Sequence, residues 1–183
     1  MRTLFLPAIL SCSLAVGGEV ERFPRGKRPD MGMMGFVDND RKKCLVADFK
    51  GKVVVVDFWT IWCPPCRKSL PELHFLQKQG QEKGSLVVIP CNLDDELWPQ
   101  GVYQFMAKNR KALEGFRYFR PQTGRNGVST NLGSEVRSYP TTLVLDREGR
   151  LAVRWSGYGE GMLVQEINAL LQEGPPGAGD PPK

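Results

Sequence analysis

Residues 52–59, KVVVVDFW, constrain this chain more than any other segment. A nearly unbroken β-branched run of that length suits a strand buried on both faces of a sheet. It leads into residues 63–84, CPPCRKSLPELHFLQKQGQEKG, where Leu70, Leu73 and Leu76 share one helical face and Gly80 and Gly84 mark the end. Pro71 falls inside that helix, where it removes a backbone hydrogen bond and bends the axis. Residues 85–96, SLVVIPCNLDDE, form a second apolar run. A strand–helix–strand unit of this kind implies parallel pairing through a right-handed crossover.

The flanking segments extend the same pattern. Residues 35–51, GFVDNDRKKCLVADFKG, predict an extended hairpin with a DND turn and with Cys44, Val46 and Phe49 facing inward. Residues 99–115 predict a second helix with Val102, Phe105, Met106 and Asn109 on one side. Residues 141–155, TTLVLDREGRLAVRW, predict a hairpin around DREG. Residues 160–173 predict a closing helix with Leu163, Ile167, Leu170 and Leu171 inward. The expected fold class is α/β: a mixed central sheet flanked by helices, with an added N-terminal hairpin.

The 183 residues suffice for one domain with a real core once loose ends are set aside. Residues 1–17 carry Arg2, the apolar run LFLPAIL and then small residues, the pattern of a secretory signal peptide. Within it, Ile9-Leu10-Ser11-Cys12 loosely matches a lipoprotein box, which would make Cys12 a lipid anchor. The chain is therefore expected to be exported, in a periplasmic or other extracytoplasmic setting. Residues 18–35, rich in Gly, Pro and charge, are expected to be a linker; the folded domain is placed at 36–172, and 173–183 is expected to be a disordered tail. The net charge of +5 is scattered, from Arg22, Arg25, Lys27 and Arg28 through Arg41–Lys43 to Arg110–Arg125. No basic stretch is interleaved with aromatics, so no nucleic-acid partner is expected.

Of five cysteines, Cys63 and Cys66 form one close pair and Cys44 and Cys91 stand alone. Two cysteines separated by two residues close a disulfide with little backbone movement. At a strand-to-helix junction the first of them meets unpaired N–H groups and the positive end of the helix dipole. Such motifs lower the thiol pKa to roughly 3.5–7.5, and thiolate is the attacking species in disulfide exchange. Cys63 is therefore expected to be the exposed nucleophile, and Cys66, one turn further in, the shielded resolving thiol. Pro64 suits the helix start because no N–H partner is needed there. Asp57 interrupts the apolar strand. It is either a buried acid that relays a proton for Cys66 or a residue turned toward a wet edge or a local turn.

The other candidates have plainer readings. Cys44 and Cys91 are either inert core thiols, a second bridge, or a relay to the active pair. His74, the only histidine, lacks a second imidazole and is expected to be an ordinary helix residue. Trp98 and Trp155 are expected to pack or anchor.

The segment VVVVDFWTIWCPPCRKSLPEL resembles the active-site region of thioredoxins, and most closely that of the exported TlpA/ResA/CcmG-type thioredoxin-like reductases. LVADFKGK resembles the segment these proteins place before the first core strand. The resemblance covers about residues 36–172. It implies that Asp57 is the family's buried aspartate, Pro71 its kink proline and Trp62 the tryptophan beside the first cysteine. SYPTTLVLDREGRL resembles the cis-proline segment and its hairpin, which makes Pro140 the cis proline and puts Tyr139 in the substrate groove. Trp62, Tyr139 and Pro140 are thus implied substrate-binding residues. Implied partners are protein thiol and disulfide clients and an upstream membrane thiol reductant, with no cofactor and no metal. The chain departs from the pattern in three places. Many TlpA-like proteins have a neutral residue where Asp57 stands. Some ResA-like reductases carry an acid where this chain has Ser69. Tyr139 is bulky for a position that commonly holds small or β-branched residues.

The function implied is exchange of disulfides with protein clients through the CPPC pair, as a reductant outside the cytoplasm. Two alternatives use the same thiols: a disulfide-forming oxidant, and a Cu(I)-binding or delivery module, since two thiolates can hold Cu(I). A peroxiredoxin-like peroxidase shares the fold but has no need of a cysteine at position 66.

Overall fold

The computed structural model describes residues 18–94, 99–122, 136 and 138–174. The signal segment 1–17 with Cys12, the residue Trp98, and the tail from 175 onward lie outside the described residues. The strands, in chain order, are β1 Val20–Arg22, β2 Gly35–Asp38, β3 Lys43–Leu45, β4 Val53–Trp59, β5 Leu86–Asn92, β6 Phe119–Pro121, β7 Thr141–Leu145 and β8 Leu151–Ser156. The helices are α1 Pro64–Lys83, α2 Pro99–Lys108 and α3 Met162–Gln172.

The strands form one mixed sheet in the order β1-β8-β7-β4-β5-β6-β2-β3. β4 pairs in parallel with β5, and β5 with β6; every other described pairing is antiparallel. β4 lies near the middle and all of its side chains are buried. Its odd positions, Val53, Val55 and Trp59, join the core shared with α1 and α3. Its even positions, Val54, Val56 and Phe58, join a second core on the opposite face. Each such side chain contributes about 1.5–3 kcal/mol on burial. Asp57 therefore lies on the α1 face of the sheet, a placement set by the two-residue period of the strand.

Helix α1 runs through Gly80 and stops at Gly84, whose φ of 72° supplies the left-handed cap. Gly80 thus does not end the helix, as its position in the sequence suggested. It lets α1 lie against β5: a Cβ there would sit 2.5 Å from the Leu86 carbonyl oxygen. The three described α-helices all pack on the α1 side. The other face is closed by the 3-10 turn Val46–Phe49 and by Phe23, Met31 and Met34 from the N-terminal segment.

That segment corrects the expected linker. Residues 18–35 supply β1, which pairs with β8 in the register Val20↔Trp155, and a bridge between Asp30 and Arg150. Arg28, with a side chain only 7% exposed, donates from Nη2 to Glu173 Oε1 at 2.6 Å and from Nη1 to Asp146 Oδ2 at 3.1 Å. Glu173, assigned to the tail by sequence, is held in the fold by the same guanidinium. A charge-rich composition hid these contacts because each depends on a residue more than a hundred positions away.

The expected hairpin is present as β2 and β3, but it joins the sheet through β6, a three-residue strand that sequence did not reveal. The same order excludes a Cys44–Cys91 bridge. β6 and β2 lie between β5 and β3, which puts the two thiols about 14 Å apart at ordinary strand spacing. Cys91 faces the core opposite to the one that holds Cys63 and Cys66, so the sheet also separates it from them.

Candidate active site

The site is built where β4 ends and α1 begins. Cys63 is the N-cap of α1, and Pro64 and Pro65 follow as its first residues. Neither proline has an N–H, so the first donor of the helix is Cys66, whose N–H points to Cys63 Sγ at 3.2 Å. Cys63 and Cys66 are joined as a disulfide with their Cα atoms 5.3 Å apart. Cys63 thus faces both a directed N–H and the positive end of the α1 dipole, the surroundings in which a thiolate is favoured over a thiol.

Cys63 does not have the exposure expected of it. In the disulfide form it is only 3% exposed, and Cys66 is fully buried. Ile61 and Tyr139 pack against the core that contains both cysteines. The side chain presented to solvent is that of Trp62, 61% exposed. Its ring meets the Tyr139 ring edge-on, with centroids 5.4 Å apart. The peptide bond between Tyr139 and Pro140 is cis. Trp62, next to Cys63 in the chain, thus meets Tyr139, which lies far from it in sequence, and Pro140 lines the cavity that also holds Asp57.

Trp62 is held from a direction that sequence did not flag. Its Nε1–H donates to Asp94 Oδ1 at 3.0 Å, and the Ile61 N–H donates to Asp94 Oδ2 at 2.7 Å. Asp94 is itself placed by a turn in which its N–H donates to Asn92 Oδ1 at 2.9 Å. The available signal was the Asn-Leu-Asp-Asp run just past an apolar strand, where a side-chain-stabilised turn is common.

Asp57 is buried, at 1% exposure. Thr142, its antiparallel neighbour on β7, donates from Oγ1 to Asp57 Oδ2 at 2.7 Å. Oδ1 has no hydrogen-bond partner among the described residues. Burial pushes the Asp57 carboxyl up to about 7; the Thr142 hydrogen bond opposes this rise and the nearby charge of Glu72 adds to it. Asp57, Ser69, Glu72, Pro140, Thr142 and Tyr158 line one small cavity beneath the start of α1. Ser69 Oγ donates to the Cys66 carbonyl at 2.8 Å, linking the cavity wall to the inner cysteine. Thr142, Glu72 and Tyr158 were not legible as site residues, because only strand register and helix docking bring them to Asp57.

The remaining candidates settle away from the site. Burial raises the Cys44 thiol to about 11, with the charges of Asp48 and Asp38 adding to the effect, so it stays protonated at neutral pH. His74 is buried, with Nδ1 3.3 Å from the Ala112 carbonyl oxygen and its ring edge-on to Phe116. Trp155 packs in the α1-side core.

The chain is similar to known proteins in both sequence and fold. The Redoxin family model matches residues 21–171. Thioredoxin-like protein YneN of Bacillus subtilis is 32% identical over 113 residues, which are 59% of this chain and 58% of that protein. Thiol-disulfide oxidoreductase ResA of Bacillus thuringiensis is 29% identical over 115 residues, 62% of this chain and 60% of that protein. The chain thus spans about three fifths of the length of these relatives. The crystal structure of a putative thiol:disulfide interchange protein DsbE from Chlorobium tepidum superposes with a TM-score of 0.63 at 26% identity, covering 79% of this chain and 98% of that one.

Proposed function

The chain belongs to the Redoxin family and has the thioredoxin-like fold; from that premise we propose that it is a thiol–disulfide oxidoreductase that reduces disulfides in exported protein clients. The observation that carries this reading is the Cys63–Cys66 disulfide at the N-terminus of α1, with Trp62 beside it in the chain and the Tyr139 ring edge-on to Trp62.

In the reduced protein, Cys63 thiolate attacks one sulfur of a client disulfide. A Cys63–client bond forms, the client bond breaks, and the first client sulfur leaves with the electron pair. Cys66 then gives its proton to Asp57 and attacks Cys63 Sγ. The Cys63–Cys66 disulfide forms, the second client sulfur leaves, and two electrons have passed from the pair to the client. Trp62 and Tyr139 form the apolar rim on which a client segment rests, and Pro140 shapes its floor. A thiol reductant in the membrane restores the pair.

The signal-peptide pattern of residues 1–17 supports an extracytoplasmic setting, with Cys12 as a lipid anchor. Among the described residues, no helix is long and apolar enough to cross a membrane.

Trapping tests the proposal. The full chain carrying Cys66→Ala is expected to accumulate mixed disulfides through Cys63 when mixed with a disulfide-containing protein such as insulin. Cys63→Ala is expected to form none. Absence of adducts from Cys66→Ala, together with no insulin reduction by the wild type, would contradict it.

A further inference from the structure

If Asp57 takes the Cys66 proton, as the function proposed above requires, it must first be rid of any proton of its own, and that proton has to reach water. Its carboxyl is too buried to release it directly. The cavity it lines admits about one water molecule at most. A second, open depression on the surface is lined by Lys68, Pro71, Glu72, Tyr158, Glu160 and Gly161. Among the described residues, Glu72 and Tyr158 are the two that line both the inner cavity and the outer depression. Glu72 Oε1 is buried without a hydrogen-bond partner among these residues, as is Asp57 Oδ1. Gly161 and Tyr158 lie beside the Glu72 carboxyl and favour its charged form.

We propose that Glu72, which with Tyr158 lines both spaces, is the relay through which Asp57 exchanges its proton with solvent. This inference rests on the Asp57 reading above. Glu72 does not touch the reacting sulfurs; it acts through Asp57. The step is a proton transfer with no redox change. Protonated Asp57 gives its proton across the cavity to the Glu72 carboxylate, and Glu72 releases it to water in the outer depression. When the protein is reduced again, the transfer runs inward.

The groups around the path are few. From α1, the ionisable residues lining the two spaces are Glu72 and Lys68; from the segment between β8 and α3 they are Tyr158 and Glu160. β7 contributes the uncharged Thr142, and the β5 residue beside Asp57 is Pro90. α3 contributes Leu163. Burial raises the Glu72 carboxyl above the ordinary range, with Gly161 and Tyr158 opposing and Glu160 adding to the rise. Burial raises the Tyr158 phenol as well, with the Glu72 and Glu160 charges adding, so it stays protonated at neutral pH.

The experiment uses the full chain with insulin as client. It follows single-turnover release of reduced insulin from the Cys63 mixed disulfide between about pH 5 and about pH 9, a window that brackets the Asp57 titration. Wild type is expected to show a rate that changes around pH 7. Glu72→Gln is expected to slow release about tenfold and to make the rate respond to added imidazole buffer, because external proton carriers then replace the relay. Glu72→Asp is expected to recover most of the rate, Tyr158→Phe to lose part of it, and all three to keep the wild-type equilibrium potential at alkaline pH. A wild-type rate and profile in Glu72→Gln, or a loss that Glu72→Asp does not recover, would overturn the relay alone. An unchanged profile in Asp57→Asn would remove the Asp57 reading and the relay with it. No exchange by wild type would remove the proposed activity and both dependent readings.

Discussion

The Thr142 hydroxyl donates to Asp57 Oδ2 at 2.7 Å across the β4–β7 ladder, and the other oxygen of that carboxyl is left unpaired among the described residues. A buried, half-satisfied carboxyl favours its neutral form, and burial raises it from 3.8 to about 7. The folded protein therefore binds this proton more tightly than the unfolded chain does. The stabilisation is fully present below about pH 4 and is lost as pH rises through about 7. Asp57→Asn is expected to remove this loss and to stabilise the oxidised protein by up to about 4 kcal/mol at about pH 8.5. Urea unfolding as a function of pH checks it; parallel curves for wild type and variant would contradict it.

Asp94 fixes Trp62 through the indole N–H and fixes the preceding backbone through the Ile61 N–H. Asp94→Ala is expected to leave Trp62 free beside the disulfide and to lower kcat/KM for insulin reduction about fivefold, the worth of about 1 kcal/mol. The equilibrium potential of the cysteine pair is expected to move little, since neither sulfur touches Asp94. A stopped-flow assay against insulin, paired with redox titration, separates the two effects.

Arg28 ties the N-terminal segment to Asp146 and Glu173. Arg28→Ala leaves the Asp146 carboxylate in a buried place with one cation fewer, although Arg150 and backbone N–H groups still reach it. The expected cost is about 2–3 kcal/mol in urea unfolding. Deleting residues 18–30 is expected to cost at least as much, which would not hold if this segment were a linker.

How much of this was legible in sequence varied with the distance over which each feature is encoded. The β4–α1–β5 unit was readable because the apolar run, the Leu70, Leu73 and Leu76 stripe and the paired cysteines are all local signals. The late hairpin, β7 and β8, was readable for the same reason. β1 and β6 were not: each is three residues long, and Val-Glu-Arg and Phe-Arg-Pro carry no periodicity. The site divides in the same way. Cys63, Cys66, Asp57, Trp62, Tyr139 and Pro140 were singled out by motif spacing and resemblance. Thr142, Asp94, Glu72 and Tyr158 reach the site only through strand register and helix docking. The low exposure of Cys63 also follows from packing, since Cys63 lies in the α1-side core against which Ile61 and the distant Tyr139 pack.

Gly80 gives a direct check on the docking of α1 over β5. Gly80→Ala places a methyl group 2.5 Å from the Leu86 carbonyl oxygen, so α1 must shift or tilt. The expected loss is about 1–3 kcal/mol, against the gain that Ala usually brings within an exposed helix. A stabilised Gly80→Ala protein in thermal unfolding would show that helix and strand are less closely packed than described.

On the proposed function, the Cys63–Cys66 pair is a reversible thiol–disulfide couple poised to reduce clients. Its most direct test is the equilibrium reduction potential of the pair in the full chain, with Cys66→Ala as the blank. A reversible two-electron transition below about −220 mV is expected. A transition above about −150 mV would make the protein an oxidant and contradict the proposed direction. No reversible transition would contradict the account as a whole.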